Sequence, residues 1–350
     1  MPVTAYKNRI LVALSGGVDS SVCSLMLAKQ NYDVEGVVFL MSDAHAPAVA
    51  AAQKSAEELG IELHIFDLRG EFEKNVILPF CETYCFGKTP NPCIICNPLV
   101  KFKALCDMAD KLGIREVATG HYALVENICG EFIVKKALSL ERDQSYMLYR
   151  LPQSILSRLV LPLGCLMKQE VRALAQSKGL SSGNAPDSQE ICFIPDNDYP
   201  SFIHSRGMSG KPGSFIYPEG FVVCAHKGVE NYTVGQRRGL NVSFGKPVYV
   251  SSIEENGNIK LGYSSNEYSS KILVKDAIFT KLYEHCDEKN LFVKVRSAAK
   301  PAKCTVSART DNSFELTFET PLRAPAPGQS AVLYCEECIV AGGIIECCFC

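Results

Sequence analysis

The chain has 350 residues, 47% of them hydrophobic and 21% charged, and a net charge of -2. That length allows two or three domains with a substantial core and no need of disulfide staples, and the near-neutral charge means that any nucleic-acid binding must come from local basic patches. No apolar run reaches the roughly 20 residues of a membrane span, and the 17 cysteines are odd in number and scattered, which points to a cytoplasmic protein and not a secreted one.

Short apolar runs at 10–14, 34–41, 61–68 and 115–120 read as buried strands. Between them, Val22, Leu25 and Met26, then Ala56 and Leu59, then Leu105, Met108 and Leu112 fall at helical spacing, the last two sets stopped by Gly60 and Gly113. Strand and helix in alternation predict an α/β domain with a parallel sheet, whose ligands sit beyond the carboxyl ends of its strands. The first strand-to-helix turn reads Ser15-Gly16-Gly17-Val18-Asp19-Ser20. Glycines let the backbone turn its N–H groups toward an anion, and the helix N-terminus adds positive potential. The GK[ST] element of a Walker loop is missing, so this is a phosphate loop with no lysine of its own.

Further on, "TPNPCIICNP" (89–98) places Cys93 and Cys96 between prolines, which predicts a stiff loop outside regular helix or strand. Such a pair suits half a metal site, a disulfide, or thiolate chemistry. Cys81 and Cys85, one helical turn apart just upstream, are candidate extra ligands for a zinc site, with packing against the sheet as the simpler reading. A helix is expected over 167–180, followed by the loop "SSGNAPDSQEICFIPDND". After about residue 196, short alternating runs separated by Gly, Asn and Asp predict an all-β texture. The domains are therefore expected at 1–195, 196–268 and 269–350. The late "CEEC" (Cys335, Cys338) and "CCFC" (Cys347, Cys348, Cys350) imitate ligand spacing but read as strand-edge thiols.

The loop SGGVDS resembles the PP-loop of ATP pyrophosphatases, a superfamily that also holds amidotransferases, ligases and tRNA modifiers. With "TPNPCIICNPLVKFKAL", "ATGHYA" (118–123), "RDQSYMLY" (142–149), "DSQEICFI" (187–194) and "YTVGQRRGL" (232–240) following in order, the chain resembles the MnmA-type tRNA-specific 2-thiouridylases from Arg9 to the late "AGGIIE". The resemblance implies a PP-loop (adenine nucleotide hydrolase-like) N-terminal domain, a small middle domain and a C-terminal β-barrel-like domain. It implies an ATP-dependent sulfurtransferase that adenylates C2 of the wobble uridine of tRNA for Glu, Gln and Lys, releases AMP and pyrophosphate, and leaves 2-thiouridine. The alternative is a PP-loop ligase or amidotransferase acting on a small metabolite.

By the same resemblance, ATP with Mg2+ is held by Ala13, Leu14, Ser15, Gly16, Gly17, Val18, Asp19, Ser20, Phe39 and Gly120, with Asp19 near the metal and phosphates. Cys192 takes sulfur from a persulfide donor or relay protein, and Cys96 attacks that persulfide, leaving a Cys96–Cys192 disulfide; direct attack by the persulfide, without release of free sulfide, is equally compatible with the sequence. A low thiolate pKa would aid both roles. Cys93 stands where some relatives have Asp, so Cys93, Cys96 and Cys192 could alternatively ligate a 4Fe-4S cluster. The implied tRNA contacts are Asn91, Pro92, Cys93, His121, Arg142, Asp143, Gln144, Arg296, Ser297 and Gln329. Arg237, Arg238, Arg296, Lys294, Lys300 and Lys303 are expected to add positive charge toward the anticodon backbone. Three departures stand out: Arg142 replaces the usual Lys, Ser297 and Ala298 replace Tyr and Arg, and the segment after Met41 is short and lacks the family's aromatic and Cys residues.

Overall fold

The computed structural model describes residues 8–184, 191–242, 245–263 and 268–349, which divide into two compact units. Unit 1 comprises residues up to Val76 together with 93–195, and unit 2 comprises 77–92 together with 196–350.

In unit 1, the strands are β1 (Arg9–Ala13), β2 (Asp33–Leu40), β3 (Leu63–Asp67), β4 (Glu116–Ala118), the hairpin β5 (Leu124–Ile128) and β6 (Glu131–Lys135), and the short β7 (Leu159–Val160). A parallel sheet runs β3-β2-β1-β4-β7. Helix α1 (Val18–Lys29) follows β1 and α2 (Ala46–Leu59) follows β2. Ile10, Val12, Val22 and Leu27 are buried together with Ala118, Leu163 and Val171, so the apolar runs that make the strands also make the core. The strand order reverses between β1 and β4, and a doubly wound sheet opens its ligand crevice at that point.

One expectation is corrected here. The stretch around Cys93 and Cys96 is not a loop: Pro92–Cys96 is α-helical, Asn97–Lys101 is a π turn, and Phe102–Lys111 continues as α-helix. Pro92 occupies the first helical position, where a missing N–H costs nothing. Pro98 has no N–H for the α ladder, and the segment containing it takes the wider π spacing. The prolines therefore shape a helix that the sequence rule had them forbid.

Unit 2 starts with the helix Leu78–Cys85 and resumes at the helix Tyr199–Ser205, whose first turn is capped by Asp198 accepting from Ser201 N at 3.1 Å. Strands β8 (Gly213–Ile216), β9 (Val222–His226), β10 (Tyr249–Ile253) and β11 (Ile259–Gly262) form a sheet in the order β10-β11-β8-β9 over Phe215, Val250, Ile259 and Leu261. Then come β12 (Tyr268–Phe279), β13 (Leu291–Lys294), β14 (Ala302–Arg309), β15 (Ser313–Arg323), β16 (Ser330–Cys335) and β17 (Cys338–Phe349). These run β12-β15-β14-β13-β16-β17, and β17 pairs back to β12, so six antiparallel strands close a barrel around Val274, Leu291, Phe314 and Leu333. Closure removes exposed strand edges. Among the described residues no helix is long and apolar enough to cross a membrane.

Candidate active site

The glycine turn after β1 is built by close approach. Gly16 has φ +76°, and a Cβ there would come within 2.5 Å of the Ala51 backbone, so only glycine fits. Gly17 is the extended N-cap of α1 with no side-chain cap, which leaves the first-turn N–H groups open toward a ligand. Ser20 Oγ accepts from Ser15 N at 3.1 Å and donates to Gly17 O at 3.0 Å, pinning the loop across its own mouth. Gly120, after β4, packs so tightly on this helix start that a Cβ would meet Asp19 C at 2.8 Å.

These elements open a cavity of about 320 Å³ at the switch point, lined by Ala13, Leu14, Ser15, Asp19, Ser20, Phe39, Gly120, His121 and Gln144 among others. Lys101 also lines it, the one Lys or Arg that does. A larger cavity of about 870 Å³ lies in unit 2, spanned by the Lys88–Glu346 ion pair at 3.0 Å, and its lining takes Val234 from the 232–240 motif but nothing from the glycine loop, the Cys93–Cys96 segment or 118–123. Chemistry and not size therefore selects the first. Asp19 faces Lys168 Nζ at 2.8 Å from each carboxylate oxygen, and Tyr122 OH donates to Asp19 Oδ1 at 2.8 Å. Lys168, Tyr122 and Lys101 are residues that sequence reasoning passed over. Lys168 begins a helix 149 positions from Asp19, and no local spacing links the two.

Both histidines of the cavity are held neutral. Burial first, and then the charge of Lys101, push His121 down to about 3 and hold His45 below its ordinary value. His121 Nδ1 sits 2.8 Å from Thr119 Oγ1, and its ring lies over Phe102.

Cys96 and Cys192, 96 positions apart, lie in one electrostatic neighbourhood with Cys93 and Lys101. Burial raises the Cys96 thiol, opposed by the Lys101 ammonium and by the Lys101 backbone N–H, which the π turn directs at this sulfur. Cys192 has an exposed surface, yet desolvation of its thiol dominates and pushes it up to about 12, with Lys101 acting the other way. Both thiols thus stand above their ordinary value, against the low thiolate pKa expected for their roles. None of the described cysteines is in a disulfide. The rest of that motif, Asp187 to Glu190, lies outside the described residues.

The remaining positions divide by what their side chains already hold. Asp143 accepts from Ala137 N, Ser145 N and Ser145 Oγ and so braces its own turn, while Gln144 Oε1 accepts from Tyr122 N at 2.9 Å and ties that turn to the segment after β4. Arg142 is exposed beside them. In unit 2, Gln329 Nε2 donates to Thr89 O at 2.9 Å and Pro90 O at 3.4 Å, anchoring the strand of chain that leads to the half-buried Asn91 and buried Pro92. Arg237, Arg238, Lys300 and Lys303 are exposed. Lys294 is corrected: it is 8% exposed on β13 and does not present its charge to a nucleic-acid backbone. Arg296 gives Nη2 to Val234 O at 3.2 Å and Ala324 O at 3.0 Å, beside a half-buried Ser297.

The zinc reading of the upstream cysteines finds no geometric support. Among the described residues, only Glu35, Glu62 and His64 bring three ligand atoms within 4.8 Å of one another, and Arg9 Nε already donates to that Glu35 at 3.1 Å. Cys81 is buried and Cys85 half-buried on one helix of unit 2. Cys335 and Cys338 face each other across the β16–β17 turn, and Cys348 donates to Pro325 O at 3.3 Å, as strand thiols do.

A parallel sheet that holds a glycine cradle at its switch point defines a nucleotide-binding α/β protein, here joined to two β domains. Family models described as the tRNA methyl transferase HUP domain, the tRNA methyl transferase PRC-barrel domain and the aminomethyltransferase beta-barrel domain match residues 8–196, 201–260 and 269–345. The chain is 38% identical over 357 residues to the tRNA-specific 2-thiouridylase MnmA of Acetivibrio thermocellus, covering 97% of this chain and 99% of that one. It is 37% identical to MnmA 1 of Clostridium botulinum strain Hall over 354 residues, with 97% and 99% covered. It is 38% identical to MnmA 2 of Caldanaerobacter subterraneus subsp. tengcongensis over 356 residues, with 97% and 98% covered. The chain belongs to the tRNA-specific 2-thiouridylase family.

Proposed function

We propose that the protein is an ATP-dependent tRNA-uridine 2-sulfurtransferase that activates C2 of a wobble uridine and replaces its oxygen with sulfur. One observation carries the mechanism: Cys96 and Cys192, far apart in sequence, share a neighbourhood with a lysine that also lines the glycine-cradle cavity. An oxygen on a pyrimidine ring is a poor leaving group, and adenylation lets it depart as AMP. The uridine O2 attacks the α-phosphorus, pyrophosphate leaves toward the N–H groups of the cradle, and the helix dipole stabilises its charge. Mg2+, when bound, neutralises phosphate charge. Asp19 is the carboxylate that would hold it, because its oxygens keep lone pairs beyond those used by Lys168 and Tyr122.

Sulfur arrives on Cys192 as a persulfide from a donor. The Cys96 thiolate attacks the inner sulfur, the terminal sulfur leaves as hydrosulfide and adds to C2, AMP departs, and an external thiol returns two electrons to the Cys96–Cys192 disulfide. The favoured substrates are tRNAs for Glu, Gln and Lys, whose wobble base must leave the stack to reach the site.

The decisive assay is thiolation of these tRNAs with ATP and a persulfide donor. Product with wild type and none with Cys192→Ser or Cys96→Ser is expected. Pyrophosphate release driven by a small acid or amine and indifferent to tRNA would favour a metabolite ligase instead. A second use of the same thiols is prompted by Cys93, which bears on both Cys96 and Cys192. Those three would hold a 4Fe-4S cluster, which would supply a binding place for the sulfur to be transferred. Iron and sulfide in anaerobically purified protein, together with loss of activity in Cys93→Ala, would establish that variant, and full activity of Cys93→Ala without iron would exclude it.

A further inference from the structure

The phosphate loop has no lysine, and the cation it lacks comes from elsewhere in unit 1. Asp19 puts a carboxylate at the mouth of the cradle, and Lys168 is committed to it through both oxygens at 2.8 Å. The two histidines of the cavity are neutral. An ATP triphosphate entering there therefore meets one uncommitted full positive charge from the lining residues, that of Lys101. Lys101 is placed by the π turn Asn97–Lys101, so its backbone N–H addresses Cys96 while its ammonium bears on Cys96, Cys192, His45 and His121. A single side chain thus serves both the nucleotide cavity and the thiols. π turns recur where a helix must present a residue out of register, and Lys101 is the last residue of this one.

We propose that Lys101 is the positioning cation of the reaction chamber, engaging the phosphoryl group that becomes bonded to the uridine and holding it beside Cys96 and Cys192. This rests on the sulfurtransferase reading. It assigns Lys101 the part that the P-loop lysine plays in Walker proteins, supplied from a different element of the fold. The charge stabilises the α-phosphoryl group during adenylation and then keeps the adenylated base against the sulfur. The proton balance of either step is unchanged, because Lys101 stays an ammonium throughout.

The test compares wild type with Lys101→Met, Lys101→Gln and Lys101→Arg on full-length protein, reading pyrophosphate release and thiolated tRNA separately in single turnovers. Wild-type thiolation is established first, so failure of the general reading is seen before any variant is scored. Lys101→Met and Lys101→Gln should lower the rate of tRNA-dependent pyrophosphate release about 100-fold with the KM for tRNA little changed, and Lys101→Arg should restore it to within about 10-fold of wild type. Pyrophosphate release within about threefold of wild type in Lys101→Met overturns the proposal. So does a loss that Lys101→Arg shares in full along with a lowered Tm, because that pattern marks a purely structural residue. If Lys101→Met fails to fold, Lys101→Gln, which keeps a polar head, decides by the same criteria.

Discussion

Lys168 Nζ lies 2.8 Å from both carboxylate oxygens of Asp19, across 149 residues of sequence. The lysine side chain is 11% exposed and the aspartate 34%, so the pair is partly shielded from solvent. It fixes the one carboxylate that faces the phosphate cavity and leaves Lys101 to meet the phosphates.

Replacing Lys168 by Met removes that restraint while keeping the apolar stem. We expect a loss of about 1–2 kcal/mol in stability, discounted for partial exposure, and a reduced rate of pyrophosphate release. A double-mutant cycle with Asp19→Asn, read by denaturant midpoint, should return a favourable coupling energy. A coupling of zero would mean that the pair is incidental.

Gly16→Ala forces a side chain into a left-handed turn and against the Ala51 backbone. The φ alone costs about 1–2 kcal/mol, and the clash adds to it. ATP binding, followed by calorimetry, should be lost while the barrel of unit 2 keeps its fold.

His121 gives a pH dependence of defined sign. Its folded pKa is depressed to about 3 from an ordinary value of 6.5, so the unfolded chain takes up a proton that the folded chain refuses. Stability from this residue is complete above about pH 6.5 and falls as the pH drops toward 3, by roughly 2 kcal/mol at pH 5. Denaturant midpoints at pH 7.5 and 5.0 should differ less in His121→Gln than in wild type.

Gln329 holds Thr89 and Pro90 from a distance of 240 positions. Gln329→Ala should cost about 1 kcal/mol and raise the KM for tRNA more than that for ATP, through loosening of the Thr89–Pro92 approach. Equal effects on both substrates would point to a global defect.

Desolvated thiols alkylate slowly. In the absence of ATP and tRNA, Cys192 should react with iodoacetamide at pH 7.5 at least roughly tenfold more slowly than a free thiol, despite its exposed surface, and faster as pH rises. Mass spectrometry of the modified peptides reads this directly. Reaction at the free-thiol rate would show that the sulfur is solvated.

Much of this protein was legible in one dimension. The apolar runs at 10–14 and 34–41 gave parallel strands, because a strand buried on both faces has no polar register to keep. Gly16 marked the tight turn after β1, since a backbone conformation open to glycine alone leaves a trace in sequence. The ordered motifs pointed to Cys96 and Cys192 by resemblance. The prolines around Cys93 misled, because the rule that they break helices depends on position within the helix, and Pro92 stands at the first helical residue while Pro98 sits in a π turn. Lys294 misled as well, since charge in a sequence says nothing of how deeply a strand position is covered: it lies on the β13 face away from the core residues Leu291 and Val293, yet is only 8% exposed. What tertiary structure alone decided were the partnerships: Lys168 with Asp19, Gln329 with Thr89, and Lys101 with both the nucleotide cavity and the thiols. Each joins groups through space that the chain separates or turns out of register, and Coulombic and hydrogen-bond energies depend on that distance and not on spacing along the sequence.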